Sequence, residues 1–422
     1  MSELLRKTKS VCPVCLETIP AELVREKDGS VWMQKSCEAH GAFRTLIWRG
    51  LADFGAWRTG AETLSADEGR DCPGDCLSCT AHPQGTCCAL LEVTRRCNLN
   101  CTFCFAHDGS EDVPMNELKR AVDIILEHEK PLIQLSGGEP TLRDDLPELI
   151  SYIHARGGRY VQLNTNGLRL AEDEVYVRAL ANAGLNIVFL QFDGTDDEVY
   201  IKLRNKPLME VKNRAIENCG RYGIGVTLVP TVVRGVNDDQ IGEIIRYGAF
   251  LSPVVRGVHF QPVSYFGKYP SRPEDDDRYT LDELIHALSL QTGFAPDSFA
   301  PSHCDHPACG LHGSFLTDEF GELTPLTHWD ASKPPRCTSA EKNRAYIGSR
   351  WSAPETPAVT DAEPGSLDDF LNRAGRYGFT VTAMAFQDAL NLDIERLRRC
   401  SLHVYENGRL IPFCAKYLTR MD

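Results

Sequence analysis

A chain of 422 residues, 42% apolar and 25% charged, holds enough material for a sizeable core and for two or three domains. Its formal net charge of −14 argues against a general nucleic-acid binder, which needs a basic face, and against electrostatic docking on an anionic membrane. With no apolar run of the ~18 residues a spanning helix needs and no signal-peptide core near Met1, the protein is expected to be cytoplasmic, and its seventeen cysteines to bind metal rather than pair as disulfides.

Residues 1–60 carry Cys12-Pro13-Val14-Cys15 and then Cys37-Glu38-Ala39-His40. A C-x2-C pair followed by C-x2-H is a mononuclear-metal pattern, and three thiolates with one imidazole favour Zn²⁺ over iron. The competing assignment leaves His40 on the surface and recruits a distant thiol such as Cys337. Residues 61–87 contain Cys72, Cys76, Cys79 and Cys87. Four cysteines suffice for a closed auxiliary [4Fe–4S] cluster, with zinc as the alternative.

From residue 88 the pattern alternates. Strands are predicted over 88–94, 131–136, 159–164, 186–192, 224–233 and 256–263, with amphipathic helices near 114–128, 144–156, 171–183, 207–222 and 238–250. Such alternation predicts a parallel sheet with right-handed crossovers, assigned here to 88–300. His259 and Gln261 alternate with Val258 and Phe260 and would face the interior. Beyond 264 the chain is less regular, with an acidic loop at 274–277, a Pro-rich linker at 352–366 and a last compact piece at 367–422. The whole of 301–422 is assigned as one C-terminal region. It holds Cys304, Cys309, Cys400 and Cys414, which spacing alone does not join, while Cys88 and Cys219 read as small buried apolar residues.

The first barrel strand runs into Cys97-Asn98-Leu99-Asn100-Cys101-Thr102-Phe103-Cys104, and the second ends in Gly137-Gly138-Glu139-Pro140. Iron–sulfur cubes are ordinarily held by four cysteines, so three suggest one iron left open for another ligand. A structural zinc knuckle would also use short cysteine spacings but leaves the glycines and Glu139 without a role. The glycines would let backbone approach a ligand, and Glu139 would accept from an ammonium group.

Cysteine motif, strand, helix, strand and Gly-Gly-Glu-Pro in that order resemble the radical S-adenosylmethionine (SAM) superfamily. The resemblance implies a partial (β/α)6 barrel, an α/β fold, with a cysteine-rich N-terminal metal-binding region and a C-terminal auxiliary-cluster region. It implies that Cys97, Cys101 and Cys104 hold the catalytic [4Fe–4S] cluster. Phe103 and Gly137 to Pro140 would lie beside SAM, and Glu139 would hold its amine. It further implies reductive cleavage of SAM to a 5′-deoxyadenosyl radical that abstracts hydrogen from an unactivated C–H bond. Asn164 and Asn166 after the third strand, and Gln191 and Asp193 after the fourth, are candidates for the cofactor's ribose or carboxylate. The alternatives are turn formation for the asparagines and strand-end capping for the other two.

Longer stretches narrow the resemblance. CPVCLETIPA, CPGDCLSCTAHPQGTC, VFLQFDG at 188–194, MAFQDALNLDIERLRRC at 384–400 and HVYENGRLIPFC at 403–414 are similar to the group containing archaeal tetraether lipid synthase and 7,8-dihydro-6-hydroxymethylpterin dimethyltransferase. That group implies two auxiliary clusters, one on Cys72, Cys76, Cys79 and Cys87 and one on Cys304, Cys309, Cys400 and Cys414, besides one mononuclear Fe or Zn. Its chemistry would be carbon–carbon bond formation or radical methylation of a lipid or pterin-like substrate, fed by a low-potential electron donor such as ferredoxin or flavodoxin. Peptide modification is the alternative; a non-catalytic iron–sulfur or zinc scaffold is the remaining one.

Overall fold

The computed structural model describes residues 2–58, 72–76, 82–106, 109–302, 304–333, 339–354 and 363–421. The expectations for Cys79, Cys337 and most of the 352–366 linker lie outside them.

The N-terminal region is an antiparallel meander of β1 (Glu3–Val11), β2 (Thr18–Arg25), β3 (Val31–Cys37) and β4 (Gly41–Trp48). Next come the parallel strands β5 (Cys88–Thr94), β6 (Leu132–Gly137), β7 (Val161–Thr165), β8 (Ile187–Gln191) and β9 (Gly225–Val229), the short β10 (Thr231–Val232), and β11 (Val255–Pro262). Helices such as Met115–His128, Leu146–Ala155, Met209–Arg221 and Ile241–Phe250 cross between them. Each strand candidate thus falls on an observed strand. β6 is buried along its whole length and β5 and β8 nearly so, as expected for strands covered on both faces, so their sequences read as near-continuous apolar runs.

The C-terminal region does not stand apart from this sheet. After β12 (Ala300–Pro301), β13 (Gly310–Thr317) and β14 (Leu323–Pro325), strand β15 (Gly378–Met384) returns to pair parallel with β11. At the opposite edge, β16 (Leu402–Glu406) pairs parallel with β5 and turns back through β17 (Arg409–Pro412). The sheet therefore runs β12-β13-β15-β11-β9-β8-β7-β6-β5-β16-β17. The boundary placed between 300 and 301 falls inside β12, and both edges of the parallel core are continued by strands from the tail. The period-2 pattern of β15 and β16 is too short to announce this; pairing across some 120 to 310 residues decides it.

The meander packs onto this body rather than hanging from it. Met33 and Trp48 join the same apolar core as the barrel strands. The buried Lys35 Nζ donates to Ala389 O at 2.7 Å, and Met421 N donates to Pro13 O at 2.8 Å. The acidic loop at 274–277 has a task here, since Asp275 accepts from Leu46 N at 2.8 Å; just beyond it, the buried Asp282 of the helix Leu281–Thr292 accepts from Gly50 N and Leu51 N at 2.9 and 3.0 Å.

Candidate functional site

In the meander, the ligand atoms of Cys12, Cys15, Cys37 and His40 all lie within 4.8 Å of one another. His40 Nδ1 is 3.5 Å from Cys12 Sγ and 3.4 Å from Cys37 Sγ, and Cys15 Sγ is 4.0 Å from Cys37 Sγ. A tetrahedron with Zn–S of ~2.3 Å and Zn–N of ~2.05 Å places S and N about 3.6 Å apart and two sulfurs about 3.8 Å apart. The observed separations fit that solid, so His40 is a ligand candidate although its ring is exposed. Leu16, at φ 64°, closes the knuckle after Cys15. Burial pushes the Cys12 thiol up, but the N–H groups of Cys15 and Val14 and the neighbouring thiols pull it below its ordinary value.

The loop after β5 is held on three sides. Thr102 N donates to Leu203 O at 2.9 Å, and Asn205 Nδ2 to Asn100 O at 2.6 Å. Cys104 and Lys268 exchange backbone bonds of 3.0 and 2.8 Å. A Cβ on Gly267 would sit 2.3 Å from Cys104 O, so only glycine permits that approach. Phe103 packs edge-on against Tyr265. Cys97, Cys101 and Cys104 come together at the C-terminal end of β5 and line one cavity. Desolvation, with Glu139 and the other two thiols nearby, pushes Cys97 up to about 11, so these cysteines repel one another's ionised forms until a cation joins them.

Gly137 and Gly138 serve this loop directly. A Cβ on Gly137 would lie 2.2 Å from Thr94 O, and one on Gly138 2.2 Å from Arg96 O. Gly138 N donates to Thr94 O at 2.9 Å and Glu139 N to Arg96 O at 2.8 Å. The close approach the glycines allow is thus to the backbone leading into Cys97. Glu139 is tied into the protein at the same point. It is 2% exposed, and its carboxylate accepts from Thr141 N, Thr141 Oγ1 and Thr165 Oγ1 on Oε1 and from Asn166 N on Oε2, at 2.6 to 3.1 Å. Three of these donors fall on Oε1 and one on Oε2, so the carboxylate braces the turn after β7 while Glu139 also lines the cavity. Pro140 is buried at the start of the turn Pro140–Leu142 and does not line the cavity.

Asn166 ties that turn to the cysteine loop: its Nδ2 donates to Asn98 Oδ1 at 2.7 Å while its Oδ1 caps Leu168 N at 3.0 Å. It is both turn former and cavity wall. Asn164 and Gln191 also face the cavity, but Asp193 does not. Asp193 is fully buried and takes Arg204 in a two-point pair, Nε and Nη2 each at 2.7 Å. Arg204 in turn hydrogen-bonds the Cys101 thiol.

The cavity measures about 730 Å³. It descends from the three cysteines through the barrel interior, between Gln134, Gln162, Asn164, Gln191, His259 and Gln261, to a floor formed by the helix Ala340–Trp351 and by Cys87, Cys88 and Asp305.

A Radical SAM superfamily model matches residues 91–248, and an HMPTM N-terminal zinc ribbon domain model matches residues 4–49. The 7,8-dihydro-6-hydroxymethylpterin dimethyltransferase of Methanocaldococcus jannaschii is 33% identical over 470 aligned positions, covering 97% of this chain and 92% of that protein. This chain belongs to the radical SAM superfamily. The Fe-coproporphyrin III synthase of Methanosarcina barkeri is 36% identical over 52% of this chain and 56% of its own. SuiB of Streptococcus suis superposes on 50% of this chain and 47% of its own, at 16% identity and a TM-score of 0.43.

For a radical SAM enzyme the cysteine loop fits a [4Fe–4S] cube on its own donor chemistry. Three thiols converge, and the other cysteines lining this cavity, Cys87 and Cys88, lie at the opposite end of β5, about 20 Å away at ~3.3 Å per residue. A cube held by these three cysteines would leave one iron without a protein thiolate.

Two residues of this radical SAM site escape a reading of the sequence. Arg204 sits in a helix with no motif, and its signal is only that its partner Asp193 closes a strand. Lys212 is fully buried, donates from Nζ to Asn166 O at 2.6 Å, and is depressed to about 8 by desolvation, against the pull of Asp193. It looks like an ordinary polar residue of an amphipathic helix until the fold turns it inward.

The fold places several of the remaining cysteines near one another. Cys87 and Cys304 face each other across a shared hydrogen bond, with Ser401 O accepting from Cys87 N at 2.9 Å. Burial pushes up the thiols of Cys309, Cys400 and Cys414; Asp305, Cys414 and Cys309 add to it at Cys400, and Cys309 adds to it at Cys414. Pairing of β16 with β5 brings residue 401 to residue 87, and Cys87 meets Cys304. Cys72 lies by the ribbon, its carbonyl accepting from Thr18 Oγ1 at 3.3 Å, and Cys76 N donates to Pro73 O at 3.1 Å. Cys219 is buried as a small apolar residue. Cys88 is not: its thiol donates to Gln134 Oε1 at 3.1 Å and borders the cavity. Among the described residues, no helix is long and apolar enough to cross a membrane.

Proposed function

We propose that this radical SAM enzyme acts on a compact planar nitrogen heterocycle of pterin type, in a reaction leading to methylation or carbon–carbon bond formation. The observation that carries this reading is the polar inner face of the barrel. Gln134, Gln162, Asn164, Gln191, His259 and Gln261 all project into one cavity. A lipid chain there would leave the buried Gln162 Oε1 and Gln191 Oε1, which have no partner, without a donor, whereas a heterocycle satisfies directed donors and acceptors. The ring cluster Phe189, His259 and Trp351, with centroids 5.0 to 6.0 Å apart, offers aromatic surface beside them. The similarity to a pterin dimethyltransferase over nearly the whole chain supports the same class.

When bound at Cys97, Cys101 and Cys104, the cluster with SAM supplies one-electron cleavage of the cofactor and hydrogen abstraction from the substrate. The chain's own residues do the rest. Arg204 positions the Cys101 side chain, and Asp193 fixes Arg204. Glu139, Asn166 and Lys212 lock the turn that walls the cofactor's side of the cavity. The barrel strands and the helix Ala340–Trp351 keep bulk water from the reacting centre. Cys12, Cys15, Cys37 and His40 would hold Zn²⁺ as a closed structural centre. Cys87 with Cys304, and Cys309 with Cys400 and Cys414, would contribute to auxiliary iron–sulfur centres. A low-potential donor such as ferredoxin or flavodoxin would supply electrons.

The test is anaerobic turnover of the reconstituted enzyme with deuterated 7,8-dihydro-6-hydroxymethylpterin or with deuterated lipid, following deuterium into 5′-deoxyadenosine by mass spectrometry. Label arriving from the pterin is the expected outcome. Label arriving only from lipid overturns the substrate class.

A further inference from the structure

The cavity wall just above the floor carries a pair of amides that no part of the cofactor site uses. Gln134 on β6 and Gln162 on β7 are direct partners in the parallel ladder, about 4.8 Å apart across the sheet. Both line the cavity, and they are only 8% and 2% exposed. Their amides point in opposite senses. Gln134 spends its oxygen on the Cys88 thiol, which leaves its NH₂ to the cavity. Gln162 turns its NH₂ toward Asn164 Oδ1 at 3.4 Å, and its Oε1 is buried with no partner. A buried amide oxygen without a donor is uncommon and marks a place where a donor from elsewhere belongs. The two glutamines sit about 10 Å below the turn after β7, three residues down the strand, and so well below the cysteine end of the cavity. Phe189, His259 and Trp351 lie on the same interior, each less than a tenth exposed.

We propose that Gln134 and Gln162 read a cyclic amide edge of the substrate. The substrate's ring carbonyl would accept from Gln134 Nε2, and its neighbouring ring N–H would donate to Gln162 Oε1. The ring plane would lie against the Phe189, His259 and Trp351 cluster. This deepens the heterocycle reading and rests on it, adding which edge faces away from the cysteines. The far end of the ring system then points up toward the reacting centre. Gln162 is a specificity-determining residue in this scheme, and Cys88 a positioning residue that fixes the sense of the Gln134 amide.

The experiment measures equilibrium binding of two probes to the reconstituted holoenzyme with SAM under anaerobic conditions. One is 6-hydroxymethylpterin, which carries the cyclic amide. The other is its 4-amino analogue, in which the carbonyl becomes an amino group and the adjacent ring nitrogen loses its hydrogen. Wild type should prefer the cyclic amide by about tenfold or more, because the analogue leaves both glutamines facing like groups. Gln162→Leu should lose most of that preference by weakening the cyclic amide alone, while Gln162→Glu, which keeps an acceptor oxygen, should restore it. Unchanged SAM binding and melting temperature in these variants separate specificity from misfolding; should Gln162→Leu not fold, Gln134→Leu and the wild-type ratio decide the matter. Equal binding of both probes by wild type, or full preference in Gln162→Leu, overturns the proposed role of this pair. Binding of neither probe overturns the pterin reading itself, a different result from equal binding of both.

Discussion

The ribbon and the barrel mouth each gather three cysteines, and they use them in opposite ways. In the ribbon a fourth ligand, His40, completes a tetrahedron whose atoms all lie within 4.8 Å, and none of the four borders the barrel cavity. At the barrel mouth Cys97, Cys101 and Cys104 border a 730 Å³ cavity, with backbone from Gly137 and Gly138 beside them. A closed coordination sphere stabilises a fold; an open one keeps a position for chemistry. The two sites part at their last thiol. Cys37 and His40 sit on a tight turn between β3 and β4 that brings the fourth ligand round, whereas Cys104 runs into a bridge with Lys268 that carries the chain away.

The largest effects should come from breaking the open site. Cys101→Ala should abolish 5′-deoxyadenosine formation, by at least about a thousandfold, and lower iron by one cluster while zinc per chain stays constant; metal analysis beside product assay checks both. Cys37→Ser should do the reverse to metal content, removing zinc while leaving the barrel iron. Its stability loss should be several kcal/mol, because ribbon folding is coupled to metal binding, and a chelator titration followed by calorimetry measures it. Arg204→Met strands Asp193, which is fully buried. Breaking such a pair costs about 3–5 kcal/mol, and urea unfolding of Arg204→Met against Arg204→Met/Asp193→Asn should show part of the loss recovered. Gly138→Ala, whose Cβ would meet Arg96 O at 2.2 Å, should disturb the cysteine loop while leaving the ribbon's zinc in place. Weakened SAM binding at unchanged zinc content is the expected result.

The smallest effect concerns pH. Burial depresses His259 from 6.5 to about 4. Between those values the unfolded chain holds a proton that the folded chain does not. Stability from this group is therefore present above pH 6.5 and is lost as pH falls toward 4, by roughly 3 kcal/mol at most. His259→Asn should unfold with a flatter acid limb across that window than wild type, read by thermal melts at stepped pH. An identical limb would mean that His259 is solvated in the native state.

Much of the barrel is legible in the sequence because each of its elements is local. Apolar runs bounded by glycine, and helices with one apolar face, announce themselves within ten residues, and all six strand candidates fall on strands. The cysteine loop, the Gly-Gly-Glu-Pro end and the ribbon ligands are legible for the same reason: their chemistry is carried by close spacing. The role of Glu139 is not, since a carboxylate beside glycines reads alike whether it meets a ligand or four protein donors. Asp193 reads in the sequence as either a cofactor contact or a strand-end cap, and it does accept from Thr231 N, but its pair with Arg204, eleven residues away on a helix, is not legible there.

The sequence by itself determined which residues are thiols, which strands are buried on both faces, and that one iron–sulfur site would be short of a ligand. These properties rest on composition and short-range periodicity, which the chain carries whatever it packs against. Only the tertiary structure decided that Cys87 meets Cys304, that strands from the tail extend both edges of the barrel, and that two glutamines stand side by side on the cavity wall. Those facts depend on which strand pairs with which and in what register. A shift of one residue would turn Gln134 and Gln162 out of the barrel and put Ile133 and Leu163 in their place.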